Sequence, residues 1–169
     1  MTRSTVEIPS TARLDLLPLR VEHAEEMAAV LADPALYAFT GGEPPTVEQL
    51  RARYERQTAG SPDPAEAWFN WVLRADGRLC GYVQATVRAA EAEVAWVVGT
   101  AWQGRGYAAE AARALVAALP EPTVVAHVHP DHTASAAVAR AAGLLPTDRM
   151  LDGEARWELR RGKRPTPDR

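Results

Sequence analysis

Residues Val94 to Val116 read V-A-W-V-V-G-T-A-W-Q-G-R-G-Y-A-A-E-A-A-R-A-L-V, and this stretch decides the fold. Val94–Val98 is apolar and rich in β-branched side chains, the composition of a buried strand. A short turn, Gly99 to Gln103, leads to Gly104-Arg105-Gly106, and an Ala- and Leu-rich run of high helix propensity follows. A strand that enters a helix through glycines builds an anion site. The first amides of the helix have no partner within it, the helix dipole adds partial positive charge, and glycine lets a ligand approach the backbone closely. Gln103 to Ala109 are therefore expected to cradle a phosphate or pyrophosphate.

Working outward, Leu14–Leu17 suits a first strand and Val21–Leu31 has helical spacing of apolar residues, ended at Asp33-Pro34. A loop with two aromatics, Tyr37 and Phe39, and the run Gly41–Pro45 comes next. Thr46 with Gln49 forms a capping-box signature for a helix reaching about Thr58. Trp68–Arg74 and Leu79–Val87 read as strands joined at Asp76-Gly77, a hairpin turn signal, and Ala90–Val98 is the next strand. After the glycine turn and a helix to Leu119 come a strand at Thr123–Val128, a helix at Ala134–Ala142 stopped by Gly143, and a last hairpin at Asp152-Gly153 with Arg156–Leu159 as its second strand. Residues 1–11 read as a flexible N-terminus, 12–160 as one domain, and 161–169 as a basic, disordered tail.

This order of elements bears on the two kinds of site the glycines could serve. Gly104 to Ala109 fits the dinucleotide pattern G-x-G-x-x-G/A, with Asp131 as a ribose-binding acid. A dinucleotide fold repeats strand–helix units and begins with its glycine turn, whereas here four strands precede the glycines and five residues separate Val98 from Gly104. A Walker-type loop is excluded because no Gly-Lys-Ser/Thr follows.

Composition removes other classes. The 169 residues suit one domain with a real core, and a net charge of -3 gives no field for nucleic acid or an anionic membrane. Cys80 is the single cysteine, so no internal disulfide exists. No signal-peptide pattern or membrane-length apolar run is present, and the default location is the cytoplasm. Neither a metal nor a nucleic-acid or membrane partner is expected.

The segments Asp76-Gly-Arg-Leu-Cys-Gly-Tyr82, Ala95-Trp-Val-Val-Gly99, Gln103-Gly-Arg-Gly-Tyr-Ala-Ala-Glu-Ala111, and His129-Pro-Asp-His-Thr-Ala-Ser-Ala-Ala-Val-Ala139 with Gly143-Leu144 resemble the GNAT superfamily of N-acetyltransferases, in particular the Rim-type branch that acetylates protein N-termini. The Gln103–Ala108 stretch matches that family's pyrophosphate pattern, Q/R-x-x-G-x-G/A. The resemblance implies an α/β fold with a single mixed, mostly antiparallel sheet of about seven strands, a V-shaped splay between the fourth and fifth, and four flanking helices. It implies acetyl-CoA as acyl donor, its pantetheine arm lying in the splay, and direct transfer of acetyl to a primary amine by a monomer or homodimer. A splayed pair leaves backbone groups without partners, and pantetheine amides complete such a ladder like a short strand.

On this reading the coenzyme-binding residues are Trp96, Val97, Val98, Gln103, Gly104, Arg105, Gly106, Tyr107, Ala108, His132 and Ser135. Glu93 is the candidate general base, with Glu91, His127 and His129 as alternatives; an α-amine acceptor needs little help from a base, whereas a lysine needs much. His132 stands where many relatives have an asparagine that contacts the coenzyme. Ala139 replaces the tyrosine with which many relatives protonate the thiolate, and Ser135 is the candidate for that task. Tyr37, Phe39 and the Gly41–Pro45 loop, with Trp68 and Trp71, are candidates to shape the acceptor pocket, the two tryptophans reading first as core residues; Trp102 and Trp157 read as packing residues, and Glu110 and Arg113 as surface residues. The missing tyrosine also leaves open a coenzyme-A-binding module without turnover, with an NAD(P)-binding protein as a further alternative. An acidic chain favours a cationic acceptor, though -3 is too small a charge to choose one.

Overall fold

A computed structural model describes residues 6–162 of the chain. In order, the elements are β1 (Asp15–Pro18), α1 (Ala24–Val30), α2 (Val47–Ala59), β2 (Glu66–Ala75), β3 (Arg78–Arg88), β4 (Glu91–Val98), α3 (Tyr107–Ala118), β5 (Thr123–Val128), α4 (Thr133–Ala141), β6 (Leu145–Leu151) and β7 (Glu154–Arg160). The strands form one sheet in the order β1-β2-β3-β4-β5-β7-β6. Every neighbouring pair is antiparallel except β4 and β5. This is the seven-stranded, four-helix architecture that the resemblance implies.

Local chemistry explains the connections. Both Asp-Gly hairpins place both turn residues at positive φ: 49° and 75° at Asp76-Gly77, and 51° and 82° at Asp152-Gly153. That backbone twist matches the strands it joins. The Thr46 hydroxyl accepts from Gln49 N–H at 3.1 Å and the Gln49 side chain accepts from Thr46 N–H at 3.0 Å, so the expected capping box starts α2. At the end of α4, Gly143 takes φ 94°, its N–H reaches the Arg140 carbonyl, and Leu144 N–H reaches the Ala139 carbonyl. The sequence-predicted helix at Val21–Leu31 opens instead as a 3-10 turn, Val21–His23, before α1.

Two cores sandwich the sheet. On one face α3 and α4 press Ala111, Ala112, Leu115 and Ala139 onto Val83, Ala92, Val94 and Val124; on the other, α1 and α2 press Met27, Val30, Leu50 and Tyr54 onto Val72 and Leu79. Trp71 and Trp157 are core residues, Trp68 is half-buried, and Trp102 packs against both clusters.

Both ends of the domain extend further than the sequence suggested. Val6 and Ile8 are buried in the first core, so the expected looseness of residues 1–11 does not hold from Val6 onward; residues 1–5 lie outside the described residues. Arg160 closes β7, and the Arg161 guanidinium donates to the carbonyls of Val116, Leu119 and Glu121, capping the end of α3. Arg161 is thus structural rather than the start of a free tail, and 163–169 lie outside the described residues.

Candidate active site

The parallel pairing of β4 with β5 lasts three residues, Glu91↔Thr123, Ala92↔Val124 and Glu93↔Val125, and then stops. On its other side β4 stays paired to β3 up to Gly81↔Val98. Gly99 N–H donates to the Cys80 carbonyl at 2.8 Å, which fixes which way each β4 peptide group points. Backbone groups alternate sides along a strand, so Ala95, Val97 and Gly99 address β3 while Trp96 and Val98 address the gap. The Val98 carbonyl is taken by Gln103 Nε2 at 3.0 Å. The gap therefore receives the N–H and C=O of Trp96 and the N–H of Val98. Val97, expected to contribute backbone contacts, spends them on β3. On the opposite wall Arg161 N–H donates to the Pro122 carbonyl at 2.8 Å, so Val124 and Ala126 address β7 and His127 addresses the gap. Ala95, Trp96 and Val97 are half-buried in the middle of the sheet, the mark of an opening beside them.

At the wide end of this V the chain turns through Thr100–Trp102 into Gly104 and Gly106, which take φ 79° and 81°. Side chains other than glycine rarely adopt that conformation. Among the described residues the amides of Gly104, Arg105 and Gly106 make no backbone bond, and α3 has no side-chain cap. Its first ladder bond is Glu110 N–H to the Gly106 carbonyl, which leaves the amides of Tyr107, Ala108 and Ala109 ahead of the ladder. Six successive donors thus open at a positive helix end, a fit for a pyrophosphate. Gln103 plays a different part from the one expected: its N–H reaches the Thr100 carbonyl and its side chain holds Val98, so it shapes the turn. The Tyr107 ring is buried, and only its amide faces outward with the others.

Sequence reasoning missed the brace under this turn. Arg13 Nε bonds Glu110 Oε1 at 2.8 Å, its Nη1 donates to the Arg105 carbonyl at 2.7 Å, and its guanidinium lies 4.7 Å over the Tyr107 ring. Glu110 also accepts from Thr11 Oγ1 at 2.5 Å and from Arg13 N–H at 3.0 Å. The hydrogen bonds from Thr11 and Arg13 outweigh partial burial and hold the Glu110 carboxyl below its ordinary value. Glu110 is therefore an anchor rather than the expected surface residue, whereas Arg113 is exposed as expected, its Nε tying α3 to the Ala141 carbonyl of α4 at 3.2 Å.

Where the strands part, Glu93 Oε1 lies 3.0 Å from His127 Nδ1. The two candidate bases are one hydrogen-bonded pair, with Glu93 half exposed and His127 mostly enclosed (side chains 52% and 11% exposed). Glu91 is not available in the same way. Arg156 Nη2 reaches its Oε2 at 2.8 Å, and Arg156 Nε reaches Glu158 Oε1 at 2.6 Å. This strap ties β4 to β7 across β5 at the closed end of the V. Hydrogen bonds from Arg156 and then Arg160 hold the Glu158 carboxyl down from 4.5 to about 2. A carboxyl depressed on folding contributes stability above its unfolded pKa and loses it as pH falls through the folded one. The Glu158→Gln protein is accordingly expected to lose less melting temperature than the parent between pH 4.5 and pH 2, measured by thermal unfolding at fixed ionic strength.

The other wall ends at the start of α4. His132 is the helix N-cap, its Nδ1 accepting from Ser135 N–H at 3.3 Å. That bond requires the neutral ring with the proton on Nε2, and partial burial, with His129 nearby, lowers the His132 pKa in the same sense. His132 thus presents an Nε2–H donor. The Ser135 hydroxyl makes no hydrogen bond among the described residues, leaving it available to a ligand. Ala139 is fully buried between α4 and the core. Phe39, from the loop after α1, stacks on His132 at 4.5 Å and meets His129 at 5.1 Å, so that loop packs against the start of α4. His129 Nδ1 accepts from Asp131 N–H, and the Asp131 side chain stands 84% exposed. Among the described residues no cluster of three or more His, Cys, Asp or Glu could hold a metal ion, and no helix is long and apolar enough to cross a membrane.

No curated protein matches the sequence. Among solved structures, an acetyltransferase from Thermus thermophilus superimposes with a TM-score of 0.72 at 22% identity, covering 90% of this chain and 99% of its own. The microcin C7 self-immunity acetyltransferase MccE, in complex with acetyl-CoA and AMP, gives 0.74 at 14% identity, covering 89% and 93%. The ribosomal L7/L12 α-N-protein acetyltransferase, in complex with coenzyme A, gives 0.72 at 13% identity, covering 91% and 97%. At these identities the likeness carries the fold. The family model described as "Acetyltransferase (GNAT) domain" matches residues 13–145, most of the chain and every element from β1 to α4. The splayed strands, the glycine turn and this match together make the chain a member of the GNAT acetyltransferase family.

Proposed function

We propose that the protein is an acetyl-CoA-dependent N-acetyltransferase that moves the acetyl group to a primary amine by direct attack. One observation carries the reading: the β4–β5 ladder ends at Glu93↔Val125, so unpaired β4 amides and the bare start of α3 face one continuous gap. The amides of Gly104 to Ala109 take the pyrophosphate, with Arg105 adding charge from an exposed side chain. The Val98 N–H and the Trp96 C=O pair with amides of the pantetheine arm, and the Trp96 N–H, nearer the Glu93–His127 pair, points where the thioester carbonyl oxygen gathers charge. One such donor contributes about 10²–10³ in rate. The His132 Nε2–H donates to the same arm.

As the amine nitrogen bonds to the acetyl carbon, the carbon–sulfur bond breaks. The amine's proton passes to the Glu93–His127 pair, directly or through one water. The thiolate leaves toward Ser135, whose hydroxyl donates to the sulfur in place of the tyrosine that Ala139 lacks. The Rim-type resemblance, and the fold shared with the ribosomal L7/L12 α-N-protein acetyltransferase, support an α-amine of a peptide or protein as acceptor.

The test is release of free thiol from acetyl-CoA with N-terminal peptides, lysine peptides and polyamines, alongside calorimetry with acetyl-CoA. Binding and thiol release with at least one amine are expected, and absence of both ends the reading. Binding without release from any amine would favour the coenzyme-binding module. Ser135→Ala is expected to lower kcat about tenfold to a hundredfold with KM for acetyl-CoA little changed, the loss of one hydrogen bond to a charged group.

A further inference from the structure

Beneath α1 and α2 lies a cavity of about 230 Å³, over the face of β2 and β3. Tyr82 and Gln84 of β3 stand in it, and strand alternation puts them on the same face as Thr86, whose partner across the strand pair is Glu93. Ala95 sits opposite Gln84 on that face, one strand nearer to Glu93 and His127, and its side chain is no larger than a methyl group.

The lining is polar in one sense only. Arg53, Tyr54, Gln57, Asn70, Tyr82 and Gln84 face the cavity, and no Asp or Glu does. Among the described residues none of these six side chains has a hydrogen-bond partner, and Arg53 forms no ion pair. Burial raises the Tyr54 and Tyr82 phenols above their ordinary range, so both remain O–H donors at neutral pH. A cavity with a guanidinium, three side-chain amides and two hydroxyls repels a polycation. It suits a carboxylate flanked by peptide groups.

We infer that this cavity selects the acceptor, and that the acceptor is a peptide amine carrying a carboxylate at its second or third residue, bound by Arg53; this rests on the acetyltransfer reading. The spacing follows from the sheet. Neighbouring strands lie about 4.8 Å apart, so Gln84 stands roughly 7 Å, and Asn70 roughly 12 Å, from the middle of the β4–β5 gap. At about 3.3 Å per residue an extended peptide covers that span in roughly two to four residues, and the side chain that bears the carboxylate supplies the last of that reach. The cavity's local charge thus disfavours a cationic acceptor, a choice for which the net charge of -3 is too small.

Three tetrapeptide amides, identical but for Glu, Gln or Lys at the third residue, are the probes. The Glu peptide is expected to show kcat/KM about threefold to fivefold above the Gln peptide and further above the Lys peptide, the upper range for an ion pair with an exposed arginine. Arg53→Gln lowers the Glu peptide to the level of the Gln peptide, and Arg53→Glu reverses the order in favour of Lys. Equal turnover of all three peptides, or an equal loss on all three in Arg53→Gln, overturns the inference while acetyl transfer stands. So does binding of acetyl-CoA with acetylation of none of them. If acetyl-CoA itself does not bind, the acetyltransfer reading has failed. The cavity is then decided by calorimetry with the peptides alone: preference for Glu, lost in Arg53→Gln, upholds its selectivity, and no preference overturns it.

Discussion

Glu93→Gln lowers kcat/KM toward a lysine acceptor about a hundredfold at pH 7, and toward an α-amine acceptor only about tenfold, if the Glu93–His127 pair takes the amine's proton. General bases contribute about 10²–10⁴, and their share depends on how much of the amine is already neutral. With pKa values near 7.8 and 10.4, roughly one α-amine in seven is neutral at pH 7 against roughly one lysine in 2,500. The variant's deficit on each acceptor should therefore shrink as pH rises past that acceptor's own pKa. Geometry adds a second expectation. Glu93 Oε1 and His127 Nδ1 are 3.0 Å apart, so the two side chains act as a unit. His127→Asn should cost a similar factor, and the double variant little more than either single one. Rate–pH profiles of the three variants check this; unchanged profiles in all of them would remove the pair from the reaction.

That pairing shows where sequence reading stops. The strand–glycine–helix run, the Thr46–Gln49 capping box, both Asp-Gly hairpins and the Gly143 stop were legible because each signal lies within a few residues of its effect. The splay was legible only through resemblance, since nothing in Val94–Val98 or Thr123–Val128 says that their ladder stops at Glu93↔Val125. Glu93 and His127 are 34 residues apart, and the choice between them as base could not be framed as a pair until β4 and β5 were in register. Arg13 and Glu110, 97 residues apart, look like ordinary surface charges in the sequence. Val6 and Ile8 supply too few residues for any periodicity, yet the sheet buries both. His132 as an N-cap hid because histidine rarely fills that place and Thr133 beside it is the commoner choice. The cavity polarity lay hidden for the same reason as the pairs: Arg53 and Gln57 come from a helix, Asn70 and Gln84 from two strands, and only packing brings them together.

Gly81→Ala is expected to cost about 3 kcal/mol or more of folding stability, the upper part of the range for overpacking and beyond. Gly81 sits in β3 opposite Val98. A Cβ there would lie 2.2 Å from the Val97 carbonyl oxygen, 3.0 Å from Val98 Cα and 3.2 Å from the Val97 carbonyl carbon. All three are backbone atoms of a central strand, so no rotamer change relieves the contact, and β3 must move away from β4. For a chain of this size the loss corresponds to a fall in melting temperature of about 6–12 °C. Gly162→Ala is the control, because a Cβ there meets nothing within 4 Å. The displaced atoms belong to the same Val97–Val98 step that aims the Val98 N–H at the gap. The variant should therefore bind acetyl-CoA more weakly even well below its melting temperature, where it remains folded. Thermal unfolding and low-temperature calorimetry separate the two effects. A normal melting temperature would deny the close approach of β3 to β4, and lowered stability with undiminished binding would detach the Val98 amide from the coenzyme site.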